Sequence, residues 1–499
     1  HFFNPVPLMK VVEVIAGLKT KPSICIALGD YAKQMGHKAV IAQDTPGFIV
    51  NHAGRGYGTE ALRIVSEGIA DFATIDRILK DQVGFKLGPF ELMDLTALDV
   101  SHPVMESIYQ QYYEEPRYRP SVITAQRLAG GVLGKKVSDG FYKYENGIVQ
   151  IPAEPPVPEV HEMPPVWVST RAARRAELLQ LLKNLGAKIE TGASPSAQAL
   201  SIVAPLGFDI TTVAIVERLD PARTIGIDFL IDDKLTKRRV IATNPATRVD
   251  MREAAHALFA RDGKAVSVIR DSGGFVTQRV VANIVNIACD ICQQGICSPE
   301  DLETAVTLGL GYPMGPLTMG DLYGPTEILE VLFNVQTVYG DPRYRPSPWL
   351  RRRGAIGRLS GDGDAPVRTV DTHKPTPRNS SGQLAGDGHR LPVDARHGHA
   401  PRPARNRASM SFARRTSAER GSSLTASAAA PPCPTGAATA TMGDRSASMP
   451  ATSSMPMRIA RSTHSPRLAC GMRPPTTCVS TIATASRRRS SSCALCAAS

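Results

Sequence analysis

Residues 1–14, HFFNPVPLMKVVEV, place His1 and Glu13 on either side of an Asn4-Pro5-Val6-Pro7 turn. Phe2 and Phe3 read as the end of a buried strand, Pro5 and Pro7 impose an extended reversal, and Val11, Val12, Val14 and Ile15 read as a returning strand. Such a return can bring a carboxylate to a histidine. Glu13 accepting from one ring nitrogen would fix the tautomer and leave the other nitrogen free to take a proton. On chemistry alone the pair is a general base with its orienter or an ordinary structural contact.

Working outward, a polar helix is expected around Pro22 to Met35 and a strand over Ala39 to Ala42. Sliding the chain 227 residues along itself then reveals an internal repeat. DTPGF at 44–48 falls on DSGGF at 271–275, and Gly84, Gly88, Pro89, Asp94 and Leu95 fall on Gly311, Gly315, Pro316, Asp321 and Leu322. After one slipped residue, PRYRP at 116–120 falls on PRYRP at 342–346. Two copies of one helical domain follow. Thr45-Pro46 and Ser298-Pro299 read as N-cap and N1 pairs, with Ser298 and Asp301 forming a capping box. Gly88-Pro89 reads as a helix break, and Asp94 as a helix-end or domain-interface residue. The run Gly54-Arg55-Gly56-Tyr57-Gly58 lacks phosphate-loop spacing, so its glycines read as points of close helix packing. In the second copy the chemistry has changed: His1 falls on Asp228, Glu13 on Val240 and Asn51 on Gln278. The second half reads as architecture without the base.

HFFNPVPLMKVVEV, DTPGFIVN at 44–51, FKLGPFELMDLTALD at 85–99 and GFYKY at 140–144 resemble the NAD-dependent 3-hydroxyacyl-CoA dehydrogenases. The likeness extends to about Arg353 and is nearest to long bacterial members of phenylacetate-type degradation, which carry two helical domains. The resemblance implies that His1 is the catalytic base, that Glu13 is its partner and that Asn51 contacts the substrate. It also implies oxidation of (S)-3-hydroxyacyl-CoA to the 3-oxoacyl-CoA with NAD as cofactor. The family's phosphate-binding glycines belong to the region before His1, so residues 1–43 are expected to be the end of an NAD-binding Rossmann domain, N-terminally truncated, with the cofactor site upstream. The alternative is a non-catalytic fragment retaining only assembly or acyl-CoA contacts.

The implied architecture is an α/β remnant of a nucleotide-binding domain (1–43) and two all-α helical domains (44–148 and 271–353). These flank a degenerate Rossmann-like α/β domain (166–270), joined by a Pro-rich linker (149–165) in which Ile151 to Pro165 is extended. In the middle domain, 166–169, 201–205 and 224–229 read as strands and Ala172 to Leu185 as a helix. The turn Thr170-Arg171-Ala172-Ala173-Arg174 has no glycine for a pyrophosphate, so no dinucleotide is expected there.

Composition bounds the remaining classes. With 499 residues and 42% apolar content there is room for about three domains with real cores. The net charge of +12 suggests nucleic acid until it is divided: residues 354–499 hold 20 basic against 7 acidic side chains, whereas residues 1–353 hold 38 against 39. The excess belongs to a low-complexity Arg/Ser/Pro/Ala-rich segment, read as a disordered C-terminal tail and, from its abrupt start, as a slipped reading frame. Without interleaved aromatics it gives no nucleic-acid module. Nine cysteines show no metal spacing, and Cys289 with Cys292 reads as a pair of small buried helix residues. No metal site, membrane span or signal peptide is expected. The expected location is the cytoplasm, as a homo-oligomer or an internal pseudo-dimer of the helical domains.

Overall fold

In a computed structural model of the chain, residues 1–359 are described; the expectations attached to the low-complexity tail from 360 onward lie outside the described residues. Strand β1 (Val11–Ala16), helix α1 (Pro22–Gln34) and strand β2 (Lys38–Gln43) form a parallel β-α-β unit with Val11 opposite Lys38. Valines suit the pleat, and Pro22 starts α1 where a missing N–H costs nothing. Two expectations fail here. Phe2 is 46% exposed and Phe2-Phe3 is no strand, because Pro5 and Pro7 donate no N–H and the Pro5 carbonyl is taken by Leu8 and Met9, at 3.0 and 3.1 Å. The loop closes on itself, leaving His1 alone paired to β1. Helix α1 is not polar either, since Ile24, Ile26, Leu28 and Tyr31 lie exposed on it.

Helices α2 (Val50–Ala53), α3 (Arg55–Ser66), α4 (Phe72–Val83), α5 (Pro89–Thr96), α6 (Leu98–Gln111) and α7 (Val122–Ala129) follow, then the hairpin β3 (Lys143–Glu145) and β4 (Ile148–Gln150). Thr45-Pro46 caps nothing. Gly47 and Phe48 take φ of 79° and 47°, so the chain turns before helix starts at Val50. Gly88-Pro89 does open α5, and Asp94 lies in its last turn, buried and accepting from the Phe141 and Tyr142 amides at 2.8 and 2.9 Å.

Strand β5 (Val166–Val168), helix α8 (Arg175–Asn184), strands β6 (Ile189–Glu190) and β7 (Leu200–Val203), helix α9 (Ile210–Glu217), strands β8 (Thr224–Ile227) and β9 (Arg238–Thr243), helix α10 (Val249–Phe259) and strand β10 (Ala265–Ile269) build one mixed α/β layer. Its six strands run β10-β9-β8-β7-β5-β6, and every pair is parallel except β8 with β9. Strands β6, β9 and β10 escape the sequence pattern. In β9 the reason is charge: Arg238 and Arg239 open a buried strand because carboxylates neutralise both. Glu154 holds Arg238 at 2.6 and 2.8 Å, and Asp233 and Asp262 hold Arg239 at 2.8 and 2.7 Å. The Pro-rich segment is therefore pinned at Glu154.

Helices α11 (Thr277–Gln293), α12 (Pro299–Gly309), α13 (Pro316–Tyr323), α14 (Pro325–Tyr339) and α15 (Pro348–Ala355) complete the described chain. Ser298 caps α12 through the Asp301 N–H at 3.0 Å, but the Asp301 carboxylate also turns to the Ile41 N–H at 3.4 Å. Ordered structure continues past Arg353: α15 runs through it, and Leu359 is fully buried with its N–H on Asp321.

The repeat is now visible as architecture. Elements β9, α10, β10, α12, α13 and α14 begin 227 residues after β1, α1, β2, α4, α5 and α6. Gly274 and Phe275 repeat the left-handed turn with φ of 77° and 48°. The copies join where α3 crosses α11: a Cβ on Gly56 would lie 2.9 Å from the Ile284 Cα, so only glycine permits this approach. Beside the crossing, buried Arg279 meets Glu60 at 2.8 Å and Glu67 at 2.6 Å and donates to the Tyr344 hydroxyl at 3.0 Å. Burial by itself would raise the Glu60 pKa; the Arg279 and Arg343 charges carry it below the usual carboxylate value. Cys289 and Cys292 are buried on α11, and burial pushes the Cys292 thiol up to about 12. Among the described residues no helix is long and apolar enough to cross a membrane.

Candidate active site

The site begins with a backbone pair. His1 and Glu13 exchange both main-chain hydrogen bonds, N–H of His1 to the Glu13 carbonyl at 2.7 Å and N–H of Glu13 to the His1 carbonyl at 3.1 Å. A directly opposed pair places its side chains on the same face. Accordingly His1 Nδ1 lies 2.8 Å from Glu13 Oε2. The imidazole stands between Phe3, edge-on at 4.7 Å, and Phe48 at 5.5 Å, which restricts its rotation.

Glu13 is the buried hinge of the arrangement, 1% exposed in the middle of β1. Its other oxygen, Oε1, accepts the Ile49 and Val50 amides at 3.0 and 2.8 Å. Those N–H groups stand at the start of α2, which has no other cap, so the carboxylate closes a helix N-terminus and orients a histidine at once. With Oε1 saturated by donors, Oε2 faces Nδ1 as an acceptor. The proton then sits on Nδ1, and Nε2 keeps its lone pair.

Asn51 follows Val50 directly and is half-buried; its side chain makes no hydrogen bond among the described residues. Thus His1 and Glu13 meet in direct contact, and Asn51 lies on the short helix that Glu13 caps. In the second copy the counterparts of the first and third positions touch, Gln278 donating to Asp228 at 3.0 Å.

Several participants escape sequence reasoning. The amides of Ile49 and Val50 carry no side-chain signature; the hint is Pro46-Gly47, a turn placed just before an apolar helix. His52, next to Asn51, is fully buried between Tyr118 at 2.7 Å and Tyr112 at 3.2 Å. Burial, then the charges of Arg55 and Arg117, pull its pKa to about 3, so it remains neutral and ties α2 to α6.

The family description "3-hydroxyacyl-CoA dehydrogenase, C-terminal domain" matches residues 47–144 and again 274–368, the second match running past Arg353. The description "3-hydroxyacyl-CoA dehydrogenase, NAD binding domain" matches residues 1–45. The 3-hydroxyadipyl-CoA dehydrogenase of Escherichia coli (strain K12) is 35% identical over 356 residues, covering 71% of this chain and 69% of that protein. The mitochondrial hydroxyacyl-coenzyme A dehydrogenase of Homo sapiens is 40% identical over 145 residues, 29% of this chain and 46% of that one, so the chain spans about half the length of this shorter relative. Among solved structures, the 3-hydroxybutyryl-CoA dehydrogenase of Escherichia coli K12 superimposes with a TM-score of 0.58 at 32% identity, covering 72% of this chain and 70% of the other. The duplicated helical domain, the matched NAD-binding segment and the length of the likeness together place this chain in the 3-hydroxyacyl-CoA dehydrogenase family.

Proposed function

We propose that this chain takes part in the NAD-dependent oxidation of (S)-3-hydroxyacyl-CoA to 3-oxoacyl-CoA, in fatty-acid or phenylacetate-type degradation, with His1, Glu13 and Asn51 as its reacting and binding groups. One observation carries the reading: Glu13 divides its two oxygens between His1 Nδ1 and the amides that open α2. An imidazole so held presents Nε2 to a substrate hydroxyl and takes its proton, and Glu13 then faces the imidazolium it creates. Asn51 supplies a free amide beside the site for the substrate oxygens. In outline we read the chain as two copies of one helical domain around a degenerate Rossmann-like domain, with residues 1–43 belonging to the nucleotide-binding fold.

NAD is the family's hydride acceptor. The residues present do not provide the cradle for its pyrophosphate: the turn into α1 is Gly17-Leu18-Lys19-Thr20-Lys21, with a single glycine and no side-chain cap, and the turn from β5 to α8 has none. The mechanism derived for this chain therefore stops at the proton. The test is NADH formation from an (S)-3-hydroxyacyl-CoA by the 499-residue chain, compared with His1→Gln, alongside acyl-CoA binding by both. Loss of turnover with retained binding supports the assignment. Equal turnover in the variant sinks it.

A further inference from the structure

One edge of the six-stranded sheet is β10, and two bonds define which of its main-chain groups face outward. The Ile269 carbonyl turns toward β9, where the Thr243 hydroxyl donates to it at 3.4 Å, and the Arg270 N–H turns away, to the Ile69 carbonyl at 3.0 Å. Main-chain groups alternate in direction along a strand, so those of Val268 and Val266 also point away from the sheet. Neither outward N–H has an acceptor among the described residues.

The first copy shows how such an edge is closed. Its β2 carries Ile41 and Gln43 where β10, 227 residues on, carries Val268 and Arg270. There the Gln43 N–H goes to the Ile296 carbonyl at 2.8 Å and the Ile41 N–H to the Asp301 carboxylate at 3.4 Å. The counterpart of Asp301 is Thr74, whose hydroxyl is given to Asp71 at 3.0 Å. Where the acid is missing, a cleft of about 770 Å³ runs beside β10, bordered by α10, the start of α4 and the Pro-rich linker. Its size falls within the ~300–1,000 Å³ of ordinary ligand sites. Pro155, Pro156 and Pro158 line it without an N–H to give to the Val266 and Val268 carbonyls.

The lining has also gained cations. Cys25, Gly29 and Gln43 of the first copy correspond to Arg252, His256 and Arg270 of the second, all three on the cleft. His256 and Arg270 have no side-chain partner among the described residues, and Arg252 touches only the adjacent Glu253, at 3.4 Å. Asp71 and Glu154, the other acids of the lining, are committed, to the Thr74 N–H at 2.8 Å and to Arg238 at 2.6 Å. The two faces of the edge differ: Val266 packs with Met251 and Leu258 of α10, the helix of Arg252 and His256, whereas Ile269 joins the core against which Phe72 packs.

We infer that the β10 edge receives an extended acidic segment of a partner protein, added as a further strand opposite Val266 and Val268. Ile69 already holds the strand position opposite Arg270, and the cleft continues that line. Alternate side chains of the added strand then face opposite ways, carboxylates toward Arg252, His256 and Arg270, apolar groups toward Phe72 and the prolines.

The experiment is fluorescence anisotropy of the full chain with a labelled octapeptide alternating glutamate and valine. Saturable binding is expected, together with its loss when lysine replaces glutamate. N-methylation of every second amide, made in both alternating registers, should weaken binding by about tenfold or more in one of them. Val268→Pro deletes an N–H that the ladder with β9 does not use and should weaken binding by about tenfold or more. Arg252→Glu, a change on an exposed helix position, should do the same and keeps the test open if the proline variant does not fold. Absence of binding overturns the inference. Equal binding of both methylated peptides overturns the added strand, and equal binding of the lysine peptide, or an unchanged affinity in Arg252→Glu, overturns its acidic character.

Discussion

Replacing Glu13 by Gln probes the site at its hinge. The carboxylate serves three donors with two oxygens: Oε1 takes the Ile49 and Val50 amides, at 3.0 and 2.8 Å, and Oε2 takes His1 Nδ1 at 2.8 Å. A glutamine has one acceptor oxygen and must choose. Turning its NH2 toward α2 strands two buried amides, at about 1–3 kcal/mol each, whereas turning it toward His1 strands none if the imidazole changes tautomer. The second orientation wins by ~2–6 kcal/mol on that count. His1 Nδ1 then accepts, Nε2 carries the proton, and the base is blocked at the atom that faces substrate. Stability should fall by about 1–3 kcal/mol, because two amide bonds to a charged oxygen become bonds to a neutral one. Turnover, where measured, should fall by ~10²–10⁴, the range of general-base catalysis. The direct assay is nitrogen NMR of histidine-labelled protein at alkaline pH, with the His1 signals assigned by their loss in His1→Ala. The unaltered protein should show a protonated Nδ1 and Glu13→Gln a protonated Nε2. An Nδ1 that keeps its proton in the variant refutes the reasoning.

Three further outcomes follow from the packing. Arg279→Met leaves Glu60 and Glu67 facing the crossing of α3 and α11 without their main cation, and should cost about 3–5 kcal/mol in a urea titration; a loss under ~1 kcal/mol would contradict a buried clamp. Gly56→Ala gains ~1 kcal/mol in helix propensity yet should destabilise, because its Cβ meets Ile284 backbone at 2.9 Å; a raised melting temperature would show that the helices can separate freely. Burial raises the Asp228 pKa from 3.8 to about 6, so the folded state holds this proton more tightly than the unfolded chain. Its contribution is therefore complete below pH ~4 and is lost as pH rises toward ~6, with a limiting slope of ~1.4 kcal/mol per unit. Asp228→Asn should flatten that decline in denaturation midpoints, leaving the similar slope of Asp76, which burial raises to about 7. An unaltered pH profile in the variant would contradict the assignment.

What could be read from the chain depended on how locally each feature is encoded. The pair His1 and Glu13 was legible because two prolines and a valine run define a reversal within thirteen residues. The repeat was legible because glycines at left-handed positions and prolines at helix starts tolerate few substitutes. Strand β9 was not, because Arg238 and Arg239 become strand residues only when Glu154, Asp81, Asp233 and Asp262 arrive from four other segments. Phe2 and Phe3 misled for the converse reason, since their composition fits a strand whose ladder here stops at His1. Thr45-Pro46 has the composition of a cap, and the positive φ at Phe48 moves the helix start four residues on, from Pro46 to Val50.

The second copy has lost all three chemical positions, yet its contacts show why it is not a bystander. The two halves exchange a reciprocal bond: the Gln43 N–H at the end of β2 goes to the Ile296 carbonyl at 2.8 Å, and the Arg270 N–H just after β10 goes to the Ile69 carbonyl at 3.0 Å. Each β-α-β unit is thus held by the helical domain of the other copy. On the first side the grip reaches the site itself, because a Cβ on Gly309 of α12 would lie 2.9 Å from a methyl of Val50 and 3.4 Å from one of Val11. Val50 supplies an amide to Glu13, and Val11 begins the strand that carries it. A half without a base therefore sets the distance between β1 and α2, the distance that Glu13 must span to hold His1. Loss of the duplicated half would leave His1 and Glu13 in place in sequence and unsupported in space.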